Sequence, residues 1–374
     1  MGHPRYLLPL LIVIFVVLLL IAFPIWYGAA STDERAFSGW AWLLLLNAVL
    51  VTVLAALALA IINLYLSWRA ERRNPAKRFV EASGVRLHYT EVGEGPPLVL
   101  LHGNGSMLQD FECSGLIDEA STKYRVIVFD RPGFGHSPRP RGTVWTAERQ
   151  AELIALAMKR LGLTNTIVLG HSWGASVAVA LGLNHRDLVD RLVLVSGYYY
   201  PTLRADVFLL SGPALPVIGP IVSYTIAPLV SRMIWPLLVK KIFAPAGVPA
   251  KFEQGFPKEM AVRPSQLRAS AEETALLIPT ATALQHRYGE LDLPVTIAAG
   301  SGDQIITTDR QSAHLHEELP HSTFRRIQGS GHMVHQTATR EITDAVDEIS
   351  MSARGSARSA RPTNLFTHSR RPRA

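Results

Sequence analysis

Residues Asn165–Gly174 read NTIVLGHSWG, and this stretch decides the fold. Thr166–Leu169 is a short strand-forming run, bounded by Asn165 before it and Gly170 after it. Gly170-His171-Ser172-Trp173-Gly174 then fits the pattern G-x-S-x-G, and the small residues of Ala175–Ala180 suit a tightly packed helix. A five-residue match is a weak signal by itself. Strand, sharp turn and helix is the setting in which the pattern presents a nucleophilic serine. The turn forces Ser172 into a cramped backbone conformation. Gly170 and Gly174 leave room for it because they carry no Cβ.

Working outward, the chain has 374 residues, a net charge of +7 and one cysteine. A lone Cys113 excludes an internal disulfide or a multi-cysteine metal site, and it reads as a small buried hydrophobe. The basic residues crowd beside apolar runs and at the carboxyl end, which records membrane topology rather than nucleic-acid binding. Tyr6–Tyr27 is apolar except for Pro9 and Pro24, and Trp40–Trp68 carries no charge before Arg69. At about 1.5 Å per residue, either run can cross a hydrocarbon layer of about 30 Å. The first is too long for a signal peptide, and the second would still anchor the chain. Trp40, Trp42 and Trp68 suit the two membrane interfaces. His3 and Arg5 precede the first run, while Arg69, Arg72, Arg73, Lys77 and Arg78 follow the second. The loop between them, Ser31–Arg35, has no basic excess. The positive-inside rule therefore predicts two transmembrane helices, about 6–27 and 40–68, forming a hairpin within residues 1–70. Everything after Arg69 then lies on the cytoplasmic side of a multi-pass membrane protein.

The remainder alternates strands with helices. Phe79–Glu81, Val85–Tyr89, Pro97–Leu101, Arg125–Phe129, Thr166–Leu169, Leu192–Val195, Val295–Ala299 and Phe324–Ile327 are the strand candidates. Several are continuous apolar runs, as in strands covered on both faces. Thr146–Leu161 reads as an amphipathic helix stopped at Gly162. The pattern predicts an α/β domain over about 76–350 with a mostly parallel sheet. Residues 198–290 interrupt the alternation with an apolar, proline-rich insertion, read as a helical cap over the sheet edge where Ser172 emerges. Prolines and glycines are expected to break Phe208–Val239 into short helical pieces. Residues 352–374 are rich in Arg, Ser, Ala and Pro without apolar periodicity, and read as a disordered basic tail.

A serine hydroxyl needs a neighbouring base, and the base needs a carboxylate to hold its tautomer. Asp303 sits in Gly300-Ser301-Gly302-Asp303 just past one strand candidate, with Asp309 as the alternative acid. His332 sits in Gly329-Ser330-Gly331-His332 just past the last strand, with His335 as the alternative base. The backbone N–H of Trp173 is one donor for a developing oxyanion. No G-x-x-x-x-G-K-[ST], strand-borne G-x-G-x-x-G or H-E-x-x-H occurs, so no cofactor and no metal is called for.

Over roughly Phe79–Ser350 the chain resembles the α/β-hydrolase superfamily. It looks most like the cap-bearing branch with epoxide hydrolases, haloperoxidase-like esterases and carbon–carbon bond hydrolases. The resemblance implies the chain order Ser172, Asp303, His332 for the triad. It also implies the N–H of Asn104 as the second oxyanion donor, and a structural role for His102. Epoxide hydrolases of this branch carry Asp as nucleophile, where this chain has Ser172. The expectation is a membrane-anchored serine hydrolase cleaving an ester or related acyl bond. Its partners are an apolar small-molecule or lipid substrate and the bilayer. Thioesters, lactones, amides and vinylogous carbon–carbon bonds stay open, as do a haloperoxidase-like activity and a non-catalytic scaffold.

Overall fold

The computed structural model describes residues 34–204, 207 and 211–359. The expected first membrane run, 6–27, lies outside the described residues. The second is one helix, Glu34–Arg73, of 40 residues. Its stretch from Trp42 has a mean hydropathy of 2.7 and is long and apolar enough to cross a membrane. The helix begins inside the loop expected at Ser31–Arg35 and runs on through Gly39 into the apolar stretch.

Eight strands follow: β1 (Arg78–Ala82), β2 (Val85–Val92), β3 (Pro97–Leu101), β4 (Arg125–Phe129), β5 (Thr166–His171), β6 (Val189–Val195), β7 (Val295–Gly300) and β8 (Thr323–Ile327). They form one sheet in the order β1-β2-β4-β3-β5-β6-β7-β8. The first two pairings, β1 with β2 and β2 with β4, are antiparallel. Every later pairing is parallel. The continuous apolar strands are explained by burial on both faces. Val99 and Leu101 of β3 join one core with the helices Ala147–Arg160 and Trp173–Asn184. Leu98 and Leu100 join a second core on the other face, with Phe111 and with Ile342 and Val346 of the last helix. Thr146 caps the first of these helices by accepting from the Arg149 N–H.

The insertion between β6 and β7 is a helical cap that is broken at first into the short pieces Gly212–Ala214 and Ile218–Tyr224, as expected, but not beyond Thr225. Ile226–Phe243 is one helix of 18 residues containing Pro228 and Pro236. Pro228 lies in the first turn, where no intrahelical N–H is needed, and the helix continues through Pro236 despite the lost bond. It is bent by 56° from the preceding helix, Ile218–Tyr224. The cap closes with Pro264–Leu284. The last helix, Thr339–Ser359, runs past Ser352, where the tail was expected to begin.

Gly174 is where the helix after β5 meets the sheet. A Cβ there would stand 2.2 Å from the Leu101 carbonyl oxygen, a backbone atom that cannot swing away. Gly174→Ala is therefore expected to cost about 1–3 kcal/mol of stability. Gly212→Ala, where an added Cβ meets nothing within 4 Å, is expected to stay within about 0.5 kcal/mol. Denaturant melts of the two purified variants in detergent check the contrast. Equal stability of both would contradict this account of the close approach.

Candidate active site

The parallel strands end along one edge, and the loops that leave it supply the site. Asn104 follows β3, Ser172 follows β5, Asp303 follows β7 and His332 follows β8. Ser172 has φ 54° and ψ −119°, a conformation costing an L-residue about 1–3 kcal/mol. A Cβ at Gly170 would lie 2.3 Å from the Gly174 carbonyl oxygen, so the turn closes only over glycine.

His332 Nδ1 lies 2.8 Å from Asp303 Oδ2. Asp303 Oδ1 meanwhile accepts from the N–H groups of Ile305 and Ile306, at 2.8 and 2.9 Å. Burial pushes the Asp303 carboxyl up, but the imidazole beside it and these N–H groups outweigh that and hold it below the usual carboxylate range. The pair leaves His332 Nε2 for a substrate-side partner. Ser172 and His332 line one cavity of about 350 Å³, together with Asn104 and Trp173. Among the described residues no hydrogen bond joins the Ser172 hydroxyl to His332, and neither the Asn104 nor the Trp173 N–H donates to a backbone carbonyl. The Asn104 side chain turns away to Ser270 and Thr274 of the cap.

The two alternatives of the sequence stand elsewhere. Asp309 is paired with Arg326 at the surface. His335 is fully buried behind the nucleophile turn, with Nε2 3.1 Å from Asp110 Oδ1. That contact is poorly aligned, since neither ring nitrogen of His335 makes a directed hydrogen bond. His171 lies between the two histidines, its ring 5.0 Å from His332 and 4.4 Å from His335. Its Nε2 meets the His332 carbonyl oxygen at 3.1 Å and ties the two loops together.

Asp110, His171 and His335 each offer a ligand atom within 4.8 Å of the others. Asp110 is already occupied as an acceptor, from Ser106 at 2.9 Å and Gln336 at 2.7 Å.

Sequence reasoning missed the group that holds the loop of Asn104. Arg131 donates to the carbonyl oxygens of His102 and Gly103, at 2.8 and 2.9 Å. Its guanidinium is ion-paired with Glu273 of the cap, both fully buried, and it also reaches Gln150 at 2.8 Å. One buried pair thus fixes the loop of Asn104 against the cap. The Arg131 N–H donates to His102 Nε2 at 3.0 Å, so the proton sits on Nδ1, which faces the Gly103 carbonyl. Asp130-Arg131-Pro132-Gly133 was readable only as a loop, and Glu273 only as one polar residue in the insertion. A larger hollow of about 430 Å³ is lined by Glu71, His136, Arg139 and Arg263 among others, where His136 Nε2 is taken up by the Asn74 carbonyl oxygen and the Ser137 hydroxyl by that of Asp130.

A sequence profile described as alpha/beta hydrolase fold matches residues 96–339, more than half of the chain. Haloalkane dehalogenase 2 of Mycobacterium tuberculosis is 30% identical over 149 residues, covering 40% of this chain and 50% of that protein. The soluble epoxide hydrolase of a Corynebacterium species is 35% identical over 113 residues, 30% of this chain and 38% of that protein. The chain thus matches half or less of the length of these curated relatives. A thermophilic esterase from Thermogutta terrifontis superposes with a TM-score of 0.59 at 22% identity, covering 73% of this chain and 97% of the esterase. At that identity the likeness shows the fold alone.

Two buried histidines predict the acid sensitivity of this arrangement. Burial, then the Arg131 charge, pushes His102 down to about 3. Burial, then the neighbouring His335 and His332, holds His171 well below its ordinary value. Both stay neutral when folded, whereas the unfolded chain protonates them near pH 6.5. Their contribution is therefore complete above about 6.5 and is lost as pH falls, at up to about 1.4 kcal/mol per unit for each. The depressed carboxyls Asp110 and Asp130 add losses only below their ordinary value of 3.8. Tm is expected to hold from about pH 8 to 7 and to fall steadily between about 6.5 and 5. A flat Tm across that interval would show that these histidines are not held neutral.

Proposed function

The chain belongs to the α/β-hydrolase fold family, and from that premise we propose a membrane-anchored serine hydrolase that cleaves an ester or related acyl bond. The observation that carries the reading is the 2.8 Å contact between His332 Nδ1 and Asp303 Oδ2, on a ring that shares its cavity with Ser172. With Nδ1–H held by the carboxylate, Nε2 is the basic nitrogen and takes the Ser172 proton as the oxygen attacks the acyl carbon. The tetrahedral oxyanion is met by the N–H groups of Asn104 and Trp173, fixed in place before the reaction. His332 then protonates the leaving alcohol, and an acyl group remains on Ser172. Water enters, gives its proton to Nε2 and attacks the acyl carbon. Ser172 leaves with the proton returned to it. Asp303 stays ionised throughout.

Relatives named as an epoxide hydrolase and a haloalkane dehalogenase keep those bond types in view. A serine nucleophile that shares its cavity with Asn104 and Trp173 suits an acyl carbon, where an oxyanion forms for backbone N–H groups to meet, better than a saturated carbon, where none does at that position. The helix Glu34–Arg73 supplies the anchor, and Arg69, Arg72 and Arg73 at its carboxyl end favour the cytoplasmic side for the catalytic domain. The substrate is an apolar small molecule or a lipid, taken without nucleic acid or cofactor.

Ser172→Ala and His332→Ala are expected to abolish turnover of a short activated ester while leaving the far-ultraviolet spectrum unchanged. Their combination should be no worse than either alone, because the two act as a unit. Asp303→Asn is expected to retain more activity than Ser172→Ala, with a loss reaching about 10⁴, as for the same change in a serine-protease triad. His335→Ala should keep the chemistry if it folds. Near-normal turnover in a folded His332→Ala variant would remove His332 as the base.

A further inference from the structure

The cap helix Ile226–Phe243 is apolar on two opposite faces. Trp235, Leu238, Val239 and Ile242 line the cavity that holds Ser172. Ile226, Val230, Met233 and Leu237, spaced four, three and four residues apart, form a stripe on the outer side. Met233 is 71% exposed and Leu237 73%. Val217 and Ile221 of the adjoining segment extend the same exposed surface. A helix apolar all round is stable only when its outer face is covered as well.

The neighbouring helix indicates what covers it. Among the described residues, the helix from Trp42 to Ile62 touches little else, and its large apolar side chains are mostly exposed. At about 1.5 Å per residue this stretch spans about 30 Å, one hydrocarbon layer. Asn63, the next residue, is buried. Its amide donates to the carbonyls of Tyr224 and Thr225 at 2.9 and 3.0 Å, and its oxygen accepts from Arg232 at 3.2 Å. Tyr224 and Thr225 are the bend between the two cap helices. The bend is therefore hung on the anchor where the hydrocarbon ends. Tyr65 and Trp68 stack just beyond, with the Arg72 guanidinium 4.4 Å from the Trp68 ring. Aromatic and basic residues at that depth mark a headgroup layer. The exposed Lys240 and Lys241 end the cap helix on the same terms.

We propose that the bent pair Ile218–Phe243 is seated in the bilayer interface and that substrate enters the Ser172 cavity sideways from the lipid, which makes a long-chain acyl lipid the substrate class. This rests on the serine-hydrolase reading above and deepens it. The seat also reaches the base, because the His332 N–H donates to the Ile242 carbonyl at 3.0 Å. A lipid chain lying along Met233 and Leu237 has only the thickness of this helix to pass before it meets Trp235 and Leu238.

The full chain in phosphatidylcholine vesicles tests the proposal in two ways. Met233→Asp combined with Leu237→Asp changes neither a cavity-lining nor a catalytic residue. It is expected to lower turnover of umbelliferyl oleate dissolved in the vesicles on the order of tenfold. Turnover of water-soluble umbelliferyl acetate should be unchanged. Independently of activity, bimane on Met233→Cys in a Cys113→Ala background is expected to be quenched by brominated lipid. Bimane on Glu94→Cys, at the opposite end of the sheet, should not be quenched. Absence of quenching at Met233, or equal loss of both esters, would overturn the proposal. So would a dimer in detergent that the double variant splits, which would assign the stripe to a second copy of the chain. Quenching at Met233 in a protein that hydrolyses neither ester would overturn the portal together with the hydrolase reading and leave only the membrane seat standing.

Discussion

Gly174 against the Leu101 carbonyl is the constraint on which the site depends. Because no Cβ separates them, the helix after β5 starts in contact with the end of β3. The chain between strand and helix must turn within one residue, and that residue, Ser172, takes φ 54°. The serine oxygen then stands above the sheet edge beside the loop of β3 that carries Asn104. Two loops meet because two backbones touch. The strain at Ser172 is sustained by Gly170, which lets the turn fold back onto the Gly174 carbonyl, and by the fully buried strands beneath.

Polar contacts then tie the cap to this frame. Arg131 and Glu273 join the oxyanion loop to the cap through a buried ion pair satisfied by Gln150 and two backbone carbonyls. Removing either partner would strand a charge, which costs about 3–5 kcal/mol in comparable buried pairs. Ile242 holds the His332 loop by one backbone hydrogen bond, and His171 holds it from below by another. His332 is thus positioned between the cap and the turn of Ser172, and a shift of the cap helix reaches it directly.

Much of this was legible in the sequence, for a local reason. Pro97–Leu101, Arg125–Phe129 and Thr166–Leu169 are strands buried on both faces, so their apolar runs are unbroken and their ends are marked by glycine or charge. Ser172 and Asp303 follow such runs, His332 follows the edge strand Thr323–Ile327 through a loop marked by Gly329 and Gly331, and parallel strands bring those ends to one edge. What escaped notice has no local signature. Arg131 and Glu273 are 142 residues apart. The buried set of Asp110, His171 and His335 likewise draws on three separate loops and helices. Ile226–Phe243 was misjudged because proline was weighed by its local rule, whereas packing of Val239 and Phe243 into the cap core holds the helix through Pro236. The helix beyond Ser352 was misjudged from composition that suits solvent and helix alike.

The central claim is that Ser172 is an acylated nucleophile rather than a well-placed structural serine. Intact-protein and peptide mass spectrometry after reaction of the detergent-solubilised chain with a fluorophosphonate tests it most directly. The account predicts a single adduct mapping to Ser172, absent when His332 is replaced by alanine. A protein that remains unmodified, or an adduct carried by another serine while Ser172 stays free, would contradict it.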